Sequence, residues 1–238
     1  MAKTRPVAIF RFSRTEGPAY FAEWLEARGI EWQLVALDEG TPVPVDPRAF
    51  AGIAMMGGPM SVNDALPWKA PLSSLLRAAV DSEVPVIGHC LGGQLLAQAL
   101  GAEVTRAPVG EIGWLDVDVC GSAAEREWFG GRAAFRTFQW HYDAFALPAG
   151  AVRVLTNGFN ANQGYVVGGR HIGLQCHVEM TRELTETWLA TGAKELPATS
   201  TAATQSAADI RRDLAHRIES LHAVAADLYA RWAQGLRP

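Results

Sequence analysis

Cysteine is scarce in this chain. Among 238 residues only Cys90, Cys120 and Cys176 occur, an odd number set far apart. That spacing excludes a disulfide framework and fits a reducing compartment. It offers no zinc motif either, and no metal or cofactor is expected. Cationic runs are also missing. Lysine and arginine total 21 against 25 aspartates and glutamates, a formal net charge of -4, and Arg211-Arg212 is the only adjacent basic pair. Nothing here tracks a phosphate backbone, so nucleic acid is not an expected partner. Hydrophobic residues make up 49% of the chain, yet every apolar run breaks well short of a membrane span, and no cleavable signal pattern opens it. The expectation is a cytoplasmic globular protein without a membrane partner.

The pattern that is present begins with alternation. Strand-like segments at Val7 to Phe12, Trp32 to Leu37, Ile53 to Met56 and Val84 to Ile87 are interleaved with helix-like ones at Tyr20 to Arg28, Leu72 to Val80 and Leu91 to Leu100. The strands are short apolar runs, as for strands buried on both faces, and the order predicts an α/β fold with a mostly parallel sheet flanked by helices. From Trp114 onward the candidates change character. Trp114 to Val119, Ala133 to Phe138, Val152 to Leu155, Gly164 to Val167 and His171 to Gln175 follow with few helices between them, and Gly168-Gly169 marks a tight turn. This predicts an antiparallel extension of the sheet. Residues 193–208, rich in Ala and Thr at their start, read as a linker after a domain of residues 1–192. A C-terminal helix over 209–238 should follow, with Ser206 or Asp209 capping it. Ile210, Leu214, Ile218, Leu221, Val224, Ala225, Leu228 and Trp232 give it one apolar stripe that packs on the core or on a partner.

Chemistry enters at Val84-Pro85-Val86-Ile87-Gly88-His89-Cys90-Leu91-Gly92-Gly93-Gln94, where a buried strand runs into a cysteine and then a helix. Gly88 and Gly92 flank Cys90 at the spacing of a nucleophile elbow, a turn so sharp that its neighbours must be small. The following helix presents its free N-terminal amides and positive dipole end to the sulfur, which favours thiolate over thiol. A base is still needed, and a third group to orient it. In Gly173-Leu174-Gln175-Cys176-His177-Val178-Glu179 an apolar strand ends at His177, and period-two alternation points His177 and Glu179 the same way. Alone, each residue is ordinary. A cysteine after an apolar strand is usually a small core residue, and a lone histidine usually structural; together they make Cys90, His177 and Glu179 the candidate catalytic set.

These residues resemble those of the class I, triad-type glutamine amidotransferases, in particular the free-standing members similar to the amidotransferase domain of GMP synthase. The resemblance covers residues 5–190. Gly57-Gly58-Pro59-Met60-Ser61-Val62-Asn63-Asp64 looks like the family's Gly-Gly-Pro loop, and the Cys90 elbow follows it in the family's order. Glu111-Ile112-Gly113-Trp114 and Trp140-His141-Tyr142-Asp143 are similar to segments of the free-standing subgroup. Asn162-Gln163-Gly164-Tyr165 resembles the glutamine-contacting strand, and Gln175-Cys176-His177-Val178-Glu179 stands where the family has Gln-Phe-His-Pro-Glu. The resemblance implies a flavodoxin-like fold and hydrolysis of the glutamine side-chain amide through a Cys90 thioester. It also implies an oxyanion hole at the amides of Gly58 and Leu91, and substrate contacts at Met60, Gln94, Asn162, Gly164 and Tyr165. Departures stand at His89, Gly93, Cys176 and Val178, and the smaller Gly93 and Cys176 would enlarge the pocket.

Two functions follow from this reading. The first is an amidotransferase that takes glutamine and delivers ammonia to a separate synthase subunit. The second keeps the same three residues for a free-standing γ-glutamyl peptidase or hydrolase acting on a larger γ-glutamyl compound. A binding module with an inactive site is opposed by the intact Cys90, His177 and Glu179. An α/β-hydrolase is opposed by chain order, because there the acid precedes the histidine.

Overall fold

The computed structural model describes residues 5–237. Along the chain lie β1 (Val7–Arg11), α1 (Ala19–Glu26), β2 (Trp32–Ala36), β3 (Gly52–Met55), α2 (Lys69–Asp81), β4 (Val86–His89) and α3 (Leu91–Ala99). After these come β5 (Val104–Val119), α4 (Ala123–Arg126), β6 (Ala134–Phe145), β7 (Val152–Thr156), β8 (Gly164–Val167) and β9 (His171–Leu174), and then α5 (Arg182–Thr191), α6 (Ala207–Arg211) and α7 (Leu214–Ala233). The strands form one nine-stranded sheet in the order β2-β1-β3-β4-β9-β8-β7-β5-β6. β2, β1, β3, β4 and β9 run parallel to their neighbours, and every pair from β9 outward through β8, β7 and β5 to β6 is antiparallel. A mostly parallel sheet with an antiparallel extension is therefore the architecture.

Strand pleating divides the core. Val7 and Ile9 of β1 face one side with Phe21, Trp24, Leu184, Leu228 and Trp232, so α1, α5 and α7 cover that face. Ala8 and Phe10 face the other with Leu72, Leu75, Leu91 and Leu95, the apolar sides of α2 and α3. Because both faces are covered, these strands carry apolar residues at every position rather than alternating. The Gly168-Gly169 turn has both residues at positive φ, 59° and 64°, and Arg170 N–H donates to the Val167 carbonyl at 3.2 Å. Paired positive φ values at the two central residues define the hairpin turn that matches strand twist.

Three features differ from the sequence reading. β5 and β6 are far longer than the segments Trp114 to Val119 and Ala133 to Phe138, with a register shift between Arg106 and Glu111. The segment expected as a linker lies along β5: Ile112 N–H donates to the Ala203 carbonyl at 3.0 Å, and the Gln205 amide brackets Trp114 through its N–H and carbonyl at 2.9 and 3.0 Å. The single C-terminal helix is two, because Arg212 is extended and Asp213 sits at φ 52°, which ends α6 and starts α7. Ser206 caps α6, its hydroxyl accepting from Asp209 N–H at 3.3 Å. The stripe from Leu214 to Trp232 is buried in the core on α7.

Candidate functional site

The site forms where the parallel strands end, the usual place for a ligand in an open α/β sheet. β4 passes directly into α3 through Cys90, whose φ of 47° and ψ of -106° lie in a region that L-residues seldom adopt. The glycines around it are there because backbone occupies the side-chain space. A Cβ on Gly88 would lie 2.4 Å from the Gly92 carbonyl carbon, one on Gly92 would lie 2.5 Å from the Met55 oxygen, and one on Gly93 would lie 2.4 Å from the Leu174 oxygen. α3 is thus seated hard against β3 and β9, with its first turn beneath the sulfur.

The His177 and Glu179 side chains meet as the alternation predicts. His177 Nδ1 and Glu179 Oε1 are 2.7 Å apart, and both residues are almost completely buried, at 1% and 2% exposure. The carboxylate can only accept, so Nδ1 carries the hydrogen and Nε2 is left for the sulfur. His177 lies against Cys90. Burial opposes charge on this imidazole, but the nearby Glu179 carboxylate and the sulfur raise its pKa well above the ordinary value. Burial alone would raise Glu179; the facing imidazole of His177 and its hydrogen bond hold it below the usual carboxylate range. The Trp188 ring stands edge-on to the His177 imidazole, centroids 4.6 Å apart, and covers it from solvent. Gln175 Nε2 approaches Cys90 Sγ at 3.6 Å from the side.

A cavity of about 370 Å³ opens over these groups. Cys90, His177, Gly58, Leu91, Met60 and Gln94 all line it, while Glu179 stands behind His177. Gly58 and Leu91 are brought together by packing: a Cβ on Gly58 would lie 2.5 Å from Leu91 Cδ2. Among the described residues neither of their N–H groups has an acceptor. Two unpaired donors beside a sulfur are what a developing oxyanion needs.

The structure does not bring Asn162, Gly164 and Tyr165 to this cavity. Asn162 donates to the Phe145 carbonyl at 3.0 Å and accepts from Arg153 Nε at 3.0 Å. Gly164 packs on Leu155, and the Tyr165 hydroxyl donates to the Gly93 carbonyl at 2.9 Å while its ring fills the space above Gly173. β8 braces α3 from behind. Its expected place is taken by β6, whose Trp140, His141, Tyr142 and Asp143 line the cavity. Gln94 Nε2 donates to the Asp143 carbonyl at 3.2 Å, and the Ser61 hydroxyl donates to Asp143 Oδ2 at 2.7 Å, which ties β6 to α3 and to the Gly-Gly-Pro loop. Glu111 anchors the strand from below, accepting from Gln163 Nε2 at 2.7 Å and Asn157 Nδ2 at 2.5 Å and facing His141 Nε2 at 3.3 Å.

The expected enlargement of the pocket at Gly93 and Cys176 is not present. The Gly93 side-chain space belongs to the β9 backbone. Cys176 is wholly buried, with burial pushing its thiol up to about 12, and it does not line the cavity.

Sequence reading missed Glu16, Arg106, Trp188 and Glu195, all of which line the cavity. The available signal was positional: Glu16 sits on the loop leaving the carboxyl end of β1. Its Oε2 and His177 Cε1 converge on the backbone of Gly57, lying 2.9 and 2.8 Å from where a Cβ there would stand. Burial pushes the Glu16 carboxyl from 4.5 up to about 8, against the pull of His177. Between those two values the folded chain holds a proton that the unfolded chain releases, so this group lowers stability as pH rises. Glu16→Gln is expected to flatten the fall in melting temperature between about pH 5 and pH 8. An unchanged or steeper fall in the variant contradicts the raised pKa of this partly buried acid.

Comparison with known proteins places this geometry. A family model for glutamine amidotransferase class-I matches residues 21–194. A GMP synthase [glutamine-hydrolyzing] of Aeropyrum pernix is 34% identical over 149 residues, 60% of this chain and 28% of that protein. The glutamine amidotransferase-like protein YfeJ of Salmonella typhimurium is 31% identical over 180 residues, 72% of this chain and 74% of that protein. Among solved structures, a glutamine amido transferase from Methylobacillus flagellatus superposes with a TM-score of 0.95 at 44% identity, over 99% of this chain and 96% of that one. A glutamine amidotransferase from Thermotoga maritima gives 0.86 at 25% identity, over 98% and 99%. The chain belongs to the class I glutamine amidotransferase family, and so to the amide-hydrolysing enzymes. It spans little more than a quarter of the Aeropyrum GMP synthase that it matches. Among the described residues no helix is long and apolar enough to cross a membrane.

Proposed function

We propose that this chain hydrolyses the side-chain amide of glutamine at Cys90 and passes the ammonia to an acceptor enzyme. One observation carries the reading: a cysteine strained at a helix N-terminus shares a single cavity with two unpaired backbone donors and with His177, which the buried Glu179 holds from behind. The Cys90 sulfur attacks the amide carbon, and the oxygen becomes an oxyanion received by the N–H groups of Gly58 and Leu91. His177 gives its Nε2 proton to the departing nitrogen, so the C–N bond breaks and ammonia leaves with a γ-glutamyl thioester on Cys90. His177 then takes a proton from water, whose oxygen attacks the thioester and releases glutamate. Glu179 fixes the tautomer and stabilises the imidazolium throughout. Met60 and Gln94 are proposed to border the bound amino acid.

The names of the relatives favour glutamine over a larger γ-glutamyl compound. The acceptor is proposed to be a synthase, in line with the printed name of the Aeropyrum relative. The test is release of ammonia and glutamate from glutamine by the purified chain, alone and with candidate synthase subunits. Absence of both products under every condition overturns the reading. Glu179→Gln is expected to lower kcat about 10- to 100-fold, because orientation survives in part while the charge that supports the imidazolium is lost. KM for glutamine should hold, as Glu179 does not line the cavity. A change confined to KM contradicts the role given to Glu179.

A further inference from the structure

The residue before the elbow, His89, and the last long helix meet underneath the triad. His89 is completely buried, with Nδ1 3.3 Å from the Met55 carbonyl and Nε2 3.3 Å from the Tyr229 hydroxyl on α7. A carbonyl only accepts, so Nδ1 bears the hydrogen; burial keeps the imidazole neutral, and the Tyr229 hydroxyl donates to Nε2. That imidazole is the floor beneath Glu179. Glu179 Oε2 lies 3.9 Å from His89 Nε2 and, among the described residues, has no hydrogen-bond partner.

A second set of ties holds the backbone of the same residue. Tyr20 N–H donates to the Glu179 carbonyl at 3.1 Å. His222 of α7 stacks on the Tyr20 ring at 3.5 Å, and its Nε2 donates to the Met180 carbonyl at 2.8 Å. α7 therefore reaches both the main chain and the side-chain floor of Glu179, although it begins at Leu214 and the family match ends at residue 194.

We propose that α7 is a working part of the site, with Tyr229 and His89 as positioning residues that direct the Glu179 carboxylate onto His177. This rests on the roles given above to Cys90, His177 and Glu179. A buried carboxylate with one oxygen left dry interacts more strongly through the other, because neither water nor a second donor shares its charge. The seated His89 ring keeps that oxygen dry. The imidazolium of His177 gains the difference. The other titratable groups facing His177 are Cys90 at the start of α3 and Glu16 on the loop after β1, and neither changes in the variants below.

Tyr229→Phe removes only the hydroxyl, since the ring keeps its edge contacts with Phe21 and Trp24 at 4.8 and 5.7 Å. His89→Asn keeps a donor for the Met55 carbonyl and opens the floor to water. For both, kcat for glutamine is expected to fall about three- to tenfold, the worth of one hydrogen bond, with KM unchanged. The basic limb of the kcat/KM profile, set by loss of the His177 proton, should move to lower pH. The same shift is readable without substrate, as a lower titration midpoint for His177 in NMR spectra of the histidine-labelled full chain. Equal midpoints in the wild type and both variants overturn the proposal, as does a loss of activity that tracks melting temperature while the midpoint stays fixed. A wild-type chain without glutaminase activity counts against the proposed reaction instead, and leaves the NMR comparison to decide the positioning role.

Discussion

Cys90→Ala is expected to abolish glutamine hydrolysis, lowering turnover by at least about 10⁴-fold. In the proposed mechanism every other group in the cavity acts on what the sulfur does. Without it the two backbone donors can polarise an amide and His177 can hold a proton, but no acyl intermediate forms. The fold should survive, because Cys90 faces the cavity and alanine removes one atom without creating a buried void. Thermal denaturation beside an ammonia assay checks both halves. Turnover within about tenfold of wild type would mean that another group carries the attack.

Gly88→Ala should have the largest effect on stability. Its new Cβ would meet the Gly92 carbonyl carbon at 2.4 Å, the Gly92 oxygen at 2.5 Å and the Gly93 nitrogen at 2.6 Å, all backbone atoms with no side chain to swing aside. Relief requires α3 to lift from β4, which would pull its first turn away from the sheet and break the contacts of Gly92 with β3 and Gly93 with β9. A cost of about 3 kcal/mol or more is expected, the upper end for an overpacked site and a large part of the roughly 5–15 kcal/mol typical of whole domains. Urea unfolding measures it. A midpoint close to that of wild type would show that the strand-to-helix turn is looser than its geometry indicates.

How much of this was legible in the sequence depends on the range of the interaction. The elbow is local: Gly88, Cys90 and Gly92 write a strand-to-helix turn in five residues, and β4 and α3 formed where the pattern placed them. The His177–Glu179 pair rests on period-two alternation over three residues, which also survives folding. Family resemblance linked the two across the chain. Asn162, Gly164 and Tyr165 failed for a non-local reason. Gly164 and Tyr165 lie on β8 and Asn162 just before it, and the position of that strand behind α3 is set by sheet order; no single strand's pattern reveals which neighbour curls over a pocket. The register shift of the β5–β6 ribbon between Arg106 and Glu111, opposite the cavity-lining Trp140 to Asp143, is likewise a matter of tertiary packing.

The C-terminal region shows the same limit from another side. The apolar stripe from Leu214 to Trp232 was legible as helical periodicity. The break at Asp213 was not, since the period runs through it and only the extended Arg212 and left-handed Asp213 interrupt the helix. Residues of low complexity before α6 read as a linker, yet Gln205 uses both ends of its amide to hold Trp114, an interaction that composition does not encode. Glu16 was passed over because a single acid in a polar loop is ordinary until its loop is seen to end beside His177.

The most direct test of the central claim is covalent. The full chain would be treated with a diazoketone analogue of glutamine, and the adduct located by intact mass and peptide mapping, with and without glutamine as competitor. One adduct per chain is expected, on Cys90, slowed by glutamine and absent from Cys90→Ala. Modification of Cys120 or Cys176 in its place, or labelling of Cys90 that glutamine does not slow, would contradict it.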